Sequence, residues 1–391
     1  MNWNIFKRSI ADVPLTTLLQ QYEASSGVTI NQQTAQALPA VYCAVNTIAE
    51  SVASMPIHVF KRQANGEKER TANNVIERLL NYSPNGFQTA YDFKVQMMRS
   101  ALLTGNAYAR IFYDQSGKVQ RLIPLLPQSV TVKELDNYRF GYHVTDKKQP
   151  YMLTQEEMWH LKINADDCIC GKSPITVCRE SLGVELASQT HGADFFKNSA
   201  RPSGVLTMDQ MLNKDQRSII KDSLLQNFAN VGKRGSTMLL EGGAKFQPLS
   251  MSNQDAEWLE SRKFGIAEIA RMFKISPIFL MDYSNSTYSN FSEATKAYLT
   301  QTLKPWLENI ESSLLMKLVP ERSVTTTTIQ FETNDILRTT PRERYDIYDL
   351  AIKNGLMSPN ECRARENLAP REGGDQFSQT WNGSSEQTTE S

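Results

Sequence analysis

Residues 166–174 read Asp-Asp-Cys-Ile-Cys-Gly-Lys-Ser-Pro, DDCICGKSP. Two incompatible folds hang on this stretch. If Gly171-Lys172-Ser173 ends a phosphate-binding loop, the chain is an α/β nucleotide-binding protein. If Ser173 caps a helix, it is something else. A phosphate loop needs G-x-x-x-x-G-K-[ST], because its glycines let successive N–H groups wrap the phosphates. The first glycine falls at 166, which is Asp166, and Asp167 follows it. Two carboxylates would then face a polyphosphate. Cys168, Cys170, Cys178 and His160 offer a metal alternative, but structural zinc favours C-x₂₋₄-C knuckles and C-x-C is not that spacing. Cys178 also falls on a predicted helix, where a buried small residue is the ordinary explanation. The reading that survives is structural: Ser173 is an N-cap and Pro174 occupies the first helical turn. It calls for no cofactor and no metal.

Composition narrows the rest. The chain has 391 residues, enough for two or three compact domains or one elongated subunit, and 40% of them are hydrophobic. Lys plus Arg and Asp plus Glu both number 42. A protein that grips DNA by neutralising phosphates is usually clearly basic, so contact with nucleic acid is expected to be local or weak. Prolines break the longest apolar runs, as in Leu122–Pro127, and none nears the ~20 residues that span a bilayer. No apolar run follows Met1–Arg8, so no signal peptide is expected, and the five cysteines read as reduced thiols.

Residues 1–37 read as a polar arm with at most one short helix. From Pro39, the residues Val41, Ala44, Val45, Ile48 and Val52 make one apolar helix face, ended by Pro56. IHVFKR (57–62) alternates as a strand. Helices over 74–81 and about 89–103, then strands around AYARIFYD, Val132, Tyr142 and 159–163, make 38–172 one α+β region. Ser116-Gly117 reads as a hairpin turn. A long helix over 174–198 comes next, then mixed structure over 201–250 and a helix from Asn253 with one interruption. Residues 282–291 read as a polar loop. Asn290 with Glu293 starts the next helix as a capping box, and Pro305 should kink it. Val324–Phe331 reads as a strand and Pro341–Asn354 as a helix stopped by Gly355. Ser358 and Glu361 start another helix with both capping-box partners. The stretch from Gly373 is expected to be disordered.

Catalytic constellations are missing: there is no G-x-S-x-G, no H-E-x-x-H and no paired-carboxylate motif. The chain is therefore not expected to be an enzyme. Residues 266–280, IAEIARMFKISPIFL, resemble the start of a helix-turn-helix. That motif supports an alternative, a sequence-specific DNA-binding regulator. The segment after the turn, from Pro277, is too apolar and too short for a recognition helix.

Several longer stretches carry a more specific likeness. ALPAVYCAVNTIAESVASMPIHVFKR (37–62), LLTGNAYARIFYDQSGKVQRLIPLLPQSVTV (102–132), GKSPI (171–175) and DFFKNSARPSGVL (194–206) lie in one order with RKFGIAEIARMFKISPIFL (262–280), FSEATKAYLTQTLKPWLENIE (291–311) and NGLMSPNECRARENLAPREGGD (354–375). In that order the chain resembles the bacteriophage portal protein family of long-tailed phages. The resemblance spans about 37–375 and has no counterpart for the cysteine cluster.

The resemblance implies a non-enzymatic, elongated α+β subunit in a ring of twelve at one capsid vertex. Double-stranded DNA would be packaged and ejected through the central channel of the ring. The implied partners are the terminase large subunit, a head–tail connector and the major capsid protein, with no membrane. The implied location is the virion, after assembly in the host cytoplasm. The family layout assigns 1–37 to an arm, 38–172 to a wing, 173–200 to a stem helix and 201–250 to a clip. Residues 251–281 become a second stem helix, 282–291 a tunnel loop, 292–335 a kinked wing helix and strand, 336–372 a helical crown and 373–391 a tail. Gly171-x-Ser173-Pro174 becomes the hinge from wing to stem.

Charge fits that layout. The loop carries one charge, Asp282, and Ser284, Asn285, Ser286, Thr287, Tyr288 and Asn290 offer weak, replaceable hydrogen bonds to passing DNA. Each neutralised phosphate would add drag. The clip carries seven cations and four anions, among them Lys233 and Arg234, the expected docking residues for an acidic partner surface.

Overall fold

The computed structural model describes residues 22–63, 66–71, 74–135, 139–145, 149–167, 169–198, 204–207, 213, 218, 245–248, 253–283, 288–333, 341–366 and 368–377. The chain divides into two compact units, 1–46 with 101–106 and 162–284, and 47–100 with 107–161 and 285–391. Both mix helix and strand, as an α+β chain should.

In the first unit, β1 (Tyr22–Glu23) pairs antiparallel with β2 (Thr29–Ile30). Helix α1 (Gln32–Gln36) starts at Asn31, whose side chain and that of Thr34 form a capping box. The end of the arm is thus more structured than expected. It is also anchored: the Ser25 N–H donates to Glu180 at 2.9 Å. Gly183 leaves it room, since a Cβ there would lie 2.4 Å from that of Ala24. Helix α2 (Pro39–Ser54) buries the predicted face, Val41, Ala44, Val45, Ile48 and Val52.

The expected single helix over 174–198 is two, α5 (Pro174–Val177) and α6 (Arg179–Asn198). Cys178 leaves helical geometry at φ −97°, ψ 22°, directly after the turn that Ser173 and Pro174 fix. Strands β11 (Gly204–Thr207) and β12 (Lys245–Pro248) pair antiparallel, with Thr207 opposite Lys245. Helix α7 (Asn253–Met272) runs without the expected interruption. It ends where Lys274 turns left-handed, φ 54°, and the Ile275 N–H returns to Ala270 O at 2.9 Å. The next element is a single 3₁₀ turn, Pro277–Leu280. The helix-turn-helix expectation fails here, because four residues of 3₁₀ cannot enter a major groove as a recognition helix.

In the second unit, β3 (Ile57–Arg62) lies between β4 (Lys68–Arg70) and β13 (Thr327–Phe331). Strand β5 (Asn106–Tyr113) lies between β6 (Val119–Leu125) and β10 (Met158–Lys162), and β8 (Arg139–Thr145) between β7 (Val130–Leu135) and β9 (Pro150–Thr154). The predicted hairpin joins β5 to β6, with Gly117 at φ 77° and Asp114 accepting the N–H groups of Ser116 and Lys118. Helices α3 (Val75–Asn81) and α4 (Ala90–Thr104) cover the sheets. Phe93 meets Trp159 at 6.1 Å between ring centres, and Ile57, Leu80, Met98 and Leu314 fill the core around them. Tyr108, Tyr142, Val144, Leu153 and Met158 form a further cluster.

Helix α8 starts at Tyr288 (Tyr288–Ala297), so Asn290 lies within the first turn and is not the cap. A cap preference worth about 1 kcal/mol does not by itself fix a helix start. Pro305 acts as a change of register. Because it has no N–H to give, Tyr298–Leu303 widen into a π-helical turn, and the Lys304 N–H reaches back to Leu299 O before α9 (Lys304–Leu318) resumes. Helix α10 (Pro341–Lys353) ends before Gly355 at φ 67°. Helix α11 (Pro359–Arg365) has the predicted reciprocal Ser358–Glu361 box. The chain beyond it stays ordered past the expected Gly373: Asn360 donates to Arg371 O at 3.0 Å and to Asp375 at 2.9 Å. The expectation for 378–391 lies outside the described residues.

Lys94 has no place in an ordinary core. It points from α4 among Val52, Ile57, Met97, Trp159 and Ile310, and donates to Met55 O at 2.8 Å. Burial lowers its pKa to about 8. The unfolded chain, with a lysine near 10.4, therefore binds this proton more tightly. The Lys94 contribution to stability is lowest below pH 8 and rises as pH climbs through that interval, by roughly 3 kcal/mol in all. Lys94→Met should remove the rise. In urea titrations its advantage over the parent at pH 7 shrinks toward pH 11. An advantage that ignores pH would contradict a buried ammonium.

Candidate functional site

The DDCICGKSP stretch is a backbone joint within the first unit. Its partner is the turn Thr104-Gly105-Asn106, where α4 gives way to β5. Gly105 has φ 81°, a left-handed conformation that only glycine adopts freely. Its carbonyl accepts the Ile163 N–H at 3.0 Å, and the Ile163 carbonyl accepts the Lys172 N–H at 3.0 Å. Asn106 clamps Gly171 from both sides: its Oδ1 accepts the Gly171 N–H at 2.7 Å and its Nδ2 donates to the Gly171 carbonyl at 2.9 Å.

These bonds draw the backbones so close that no side chain fits. A Cβ on Gly171 would lie 2.0 Å from Gly105 O and 2.5 Å from Ile163 O. A Cβ on Gly105 would lie 2.5 Å from the Lys172 carbonyl carbon. The Ser173 hydroxyl donates to Leu103 O at 2.7 Å and accepts the Thr176 N–H at 3.4 Å, the predicted cap.

The chemistry of a phosphate loop is spent elsewhere. The Gly171 N–H belongs to Asn106, and the Lys172 ammonium pairs with Asp166. Asp167, exposed on the loop, accepts the N–H groups of Ile169 and Cys170. Burial works against its charge, but those two donors outweigh it and hold the carboxyl below its ordinary pKa. Cys168 lies outside the described residues. Burial, aided by Glu268, pushes the Cys178 thiol up, away from the thiolate a metal needs. His160 is a core residue, 4.3 Å from the Tyr108 ring centre and within 3.3 Å of the Tyr142 hydroxyl. Among the described residues no group of three metal-ligating side chains converges.

Beyond the joint, α6 and α7 pack together around a buried acid. Glu185 lies 3.6 Å from Arg262 and fills the space that Gly265 leaves open, where a Cβ would sit 2.0 Å from its Oε2. Burial raises its pKa, and Arg262 opposes the shift.

Of the expected DNA-contacting residues, Ser284, Asn285, Ser286 and Thr287 lie outside the described residues. Tyr288 and Asn290 fall on the first turn of α8, a correction to a loop running through 291. The docking candidates Lys233 and Arg234 also lie outside the described residues. Asn106 was not singled out from the sequence. The available signal was the Thr-Gly-Asn turn at the junction of a helix and a strand, with an amide two residues from the helix end.

Comparison with known proteins bears on the whole chain. The portal protein of Enterobacteria phage HK97 is 29% identical over 350 residues, 88% of this chain and 82% of its own length. The probable portal protein of Streptomyces phage phiC31 is 29% identical over 359 residues, 89% and 78% of the two chains. Among solved structures, a chain in the neck of a native gene transfer agent particle, computed with C12 symmetry, aligns with TM-score 0.64 at 23% identity, covering 87% of this chain and 92% of that one. A chain of the native gene transfer agent virion aligns with TM-score 0.65 at 22% identity, covering 92% and 96%. The profile of the phage portal protein family matches residues 39–367, and the chain belongs to that family.

Proposed function

We propose that this chain is the subunit of a ring of twelve at one vertex of a phage head, through which double-stranded DNA is packaged and later ejected. The observation that carries the reading is the family match, which covers residues 39–367. The C12 symmetry of the neck whose fold the chain shares supports the ring number. A ring of identical subunits needs a heterologous interface, one face of each copy against a different face of the next. Helix α10 supports such a neighbour. It has thirteen residues, and Tyr345, Ile347 and Leu350 on it are more than half exposed. Arg344 and Tyr348 tie one side of it to Glu366, and a second copy would cover the exposed apolar side.

In this reading α5 and α6 form one stem helix and α7 the other. The Gly105–Gly171 joint is the hinge where the stem begins, and the sheets of the second unit belong to the wing. The segment between β11 and β12 is the clip, the docking surface for the terminase large subunit and then for the head–tail connector. The rim of the ring meets the major capsid protein. The subunit is structural; the terminase supplies ATP hydrolysis. It assembles in the host cytoplasm and ends in the virion.

The clip assignment has a direct test. The double variant Lys233→Glu, Arg234→Glu should keep its ring but bind purified terminase more weakly, with the loss greatest at low salt. Unchanged terminase affinity would move the docking site away from these residues. The regulator alternative predicts tight binding to one DNA sequence, and the 3₁₀ turn after Lys274 gives it no recognition helix.

A further inference from the structure

In the second unit, four side chains make a site that the portal reading leaves unused. On β5, the Arg110 guanidinium carbon lies 4.4 Å from the centre of the Phe112 ring and 5.2 Å from that of Tyr151 on β9. Arg121, opposite Phe112 in the β5–β6 register, brings its own guanidinium carbon 5.4 Å from the same Phe112 ring. Arg110 is half-buried, and its Nε is closed to solvent with no hydrogen-bond partner. Among the described residues neither guanidinium is paired with a carboxylate; Arg139, on β8, is the arginine that takes Glu156.

Arginine stays charged at any working pH, and a buried donor without an acceptor is costly. The aromatic faces hold these guanidiniums in place but accept no hydrogen bond from their edges. The Arg110 Nε is closed to solvent, so the edge that can receive a planar oxyanion in two-point contact is the Nη pair, which among the described residues bonds no carboxylate. We propose that Arg110, Arg121, Phe112 and Tyr151 form a receptor for an acidic segment of another protein. A Glu or Asp carboxylate would engage the guanidiniums, and adjoining apolar side chains would lie on the rings.

The surroundings favour a peptide over nucleic acid. Polyphosphate binding takes a run of cations, and this site has a pair. The turn carrying Glu156 and Glu157 is bonded to the same strand, through Tyr113 Oη to Glu156 O at 2.8 Å and Ile111 N to Glu157 O at 2.8 Å. A long polyanion would meet those carboxylates, whereas one side-chain carboxylate can avoid them. Arginine and aromatic residues are also the side chains that dominate protein–protein binding energy.

The test uses full-length protein, a fluorescent peptide alternating Glu and Phe, and a short DNA duplex and inorganic phosphate as competitors. The peptide should bind. Arg110→Gln should weaken it by about tenfold or more, Arg121→Gln by less, and Arg110→Lys should fall between, because it keeps charge and loses the fork. Arg121 is exposed, so Arg121→Gln should melt like the parent and separates binding from folding. Particle mass measured on the same samples separates this proposal from the ring, which does not depend on it. No peptide binding, or equal binding to parent and the double Arg→Gln variant, would overturn the site. So would displacement by duplex with the same variants losing duplex affinity, which would make it a nucleic-acid contact. Displacement by phosphate alone at matched concentration would reduce it to a small-anion site and overturn the peptide assignment.

Discussion

Gly171→Ala should yield little or no soluble folded protein. The added methyl carbon would sit 2.0 Å from Gly105 O, 2.5 Å from Ile163 O and 2.8 Å from Ile163 N. All three obstacles are backbone, and each is held in the hydrogen-bond mesh of the joint. To admit the methyl group the strand end, the turn and the start of α5 would have to separate. That breaks several part-buried hydrogen bonds at about 1 kcal/mol each and leaves their donors poorly satisfied. A loss above about 4 kcal/mol is a large share of the 5–15 kcal/mol that holds a typical domain. Gly86→Ala is the control, because nothing lies within 4 Å of a Cβ there and its φ is ordinary. Asn106→Ala should fall between the two, since it removes the clamp and adds no clash. Soluble yield and urea midpoints of the three variants give the check. A parent-like midpoint for Gly171→Ala would show that the joint is not the tight backbone contact described.

Deleting Ser284–Thr287 should leave the subunit folded and able to form rings, yet reduce DNA-filled heads to a small fraction of the parent level. The deletion stops short of α8, which begins at Tyr288. The segment carries no charge, so it would touch DNA through weak contacts that exchange as the duplex slides, without the drag that neutralised phosphates would bring. Counting full and empty heads by electron microscopy, in cells where the variant is the only copy, measures the effect. Normal filling would remove this segment from the packaging path.

The sequence showed most of the fold because its local signals agree with its tertiary contacts. The apolar face of α2, the Ser116-Gly117 turn, the Ser173 cap and the Ser358–Glu361 box are each written within a few neighbouring residues, and each is found. What the sequence hid depends on distant partners. Cys178 leaves helical geometry with no proline or glycine at that position to announce it, and the Ser173 hydroxyl reaches Leu103, 70 residues away. The ordered arm end depends on Glu180 and Gly183, and the order past Gly373 on Asn360. Pro305 announced a disturbance, and the structure takes it up as a π turn over Tyr298–Leu303. The GKS tripeptide was legible as a false phosphate loop from Asp166 alone. Its real partner, Asn106, lies 65 residues away with no motif to join them.

The ring is checked by the mass of the purified full-length protein in light scattering, with negative-stain images of the same sample. The chain weighs 44.2 kDa. Twelve copies closed by a heterologous interface would weigh roughly 530 kDa and show a central hole. A particle of that mass with a ring outline is the expected result. A monomer or dimer at every concentration, and still so when mixed with scaffold and capsid protein, would contradict it.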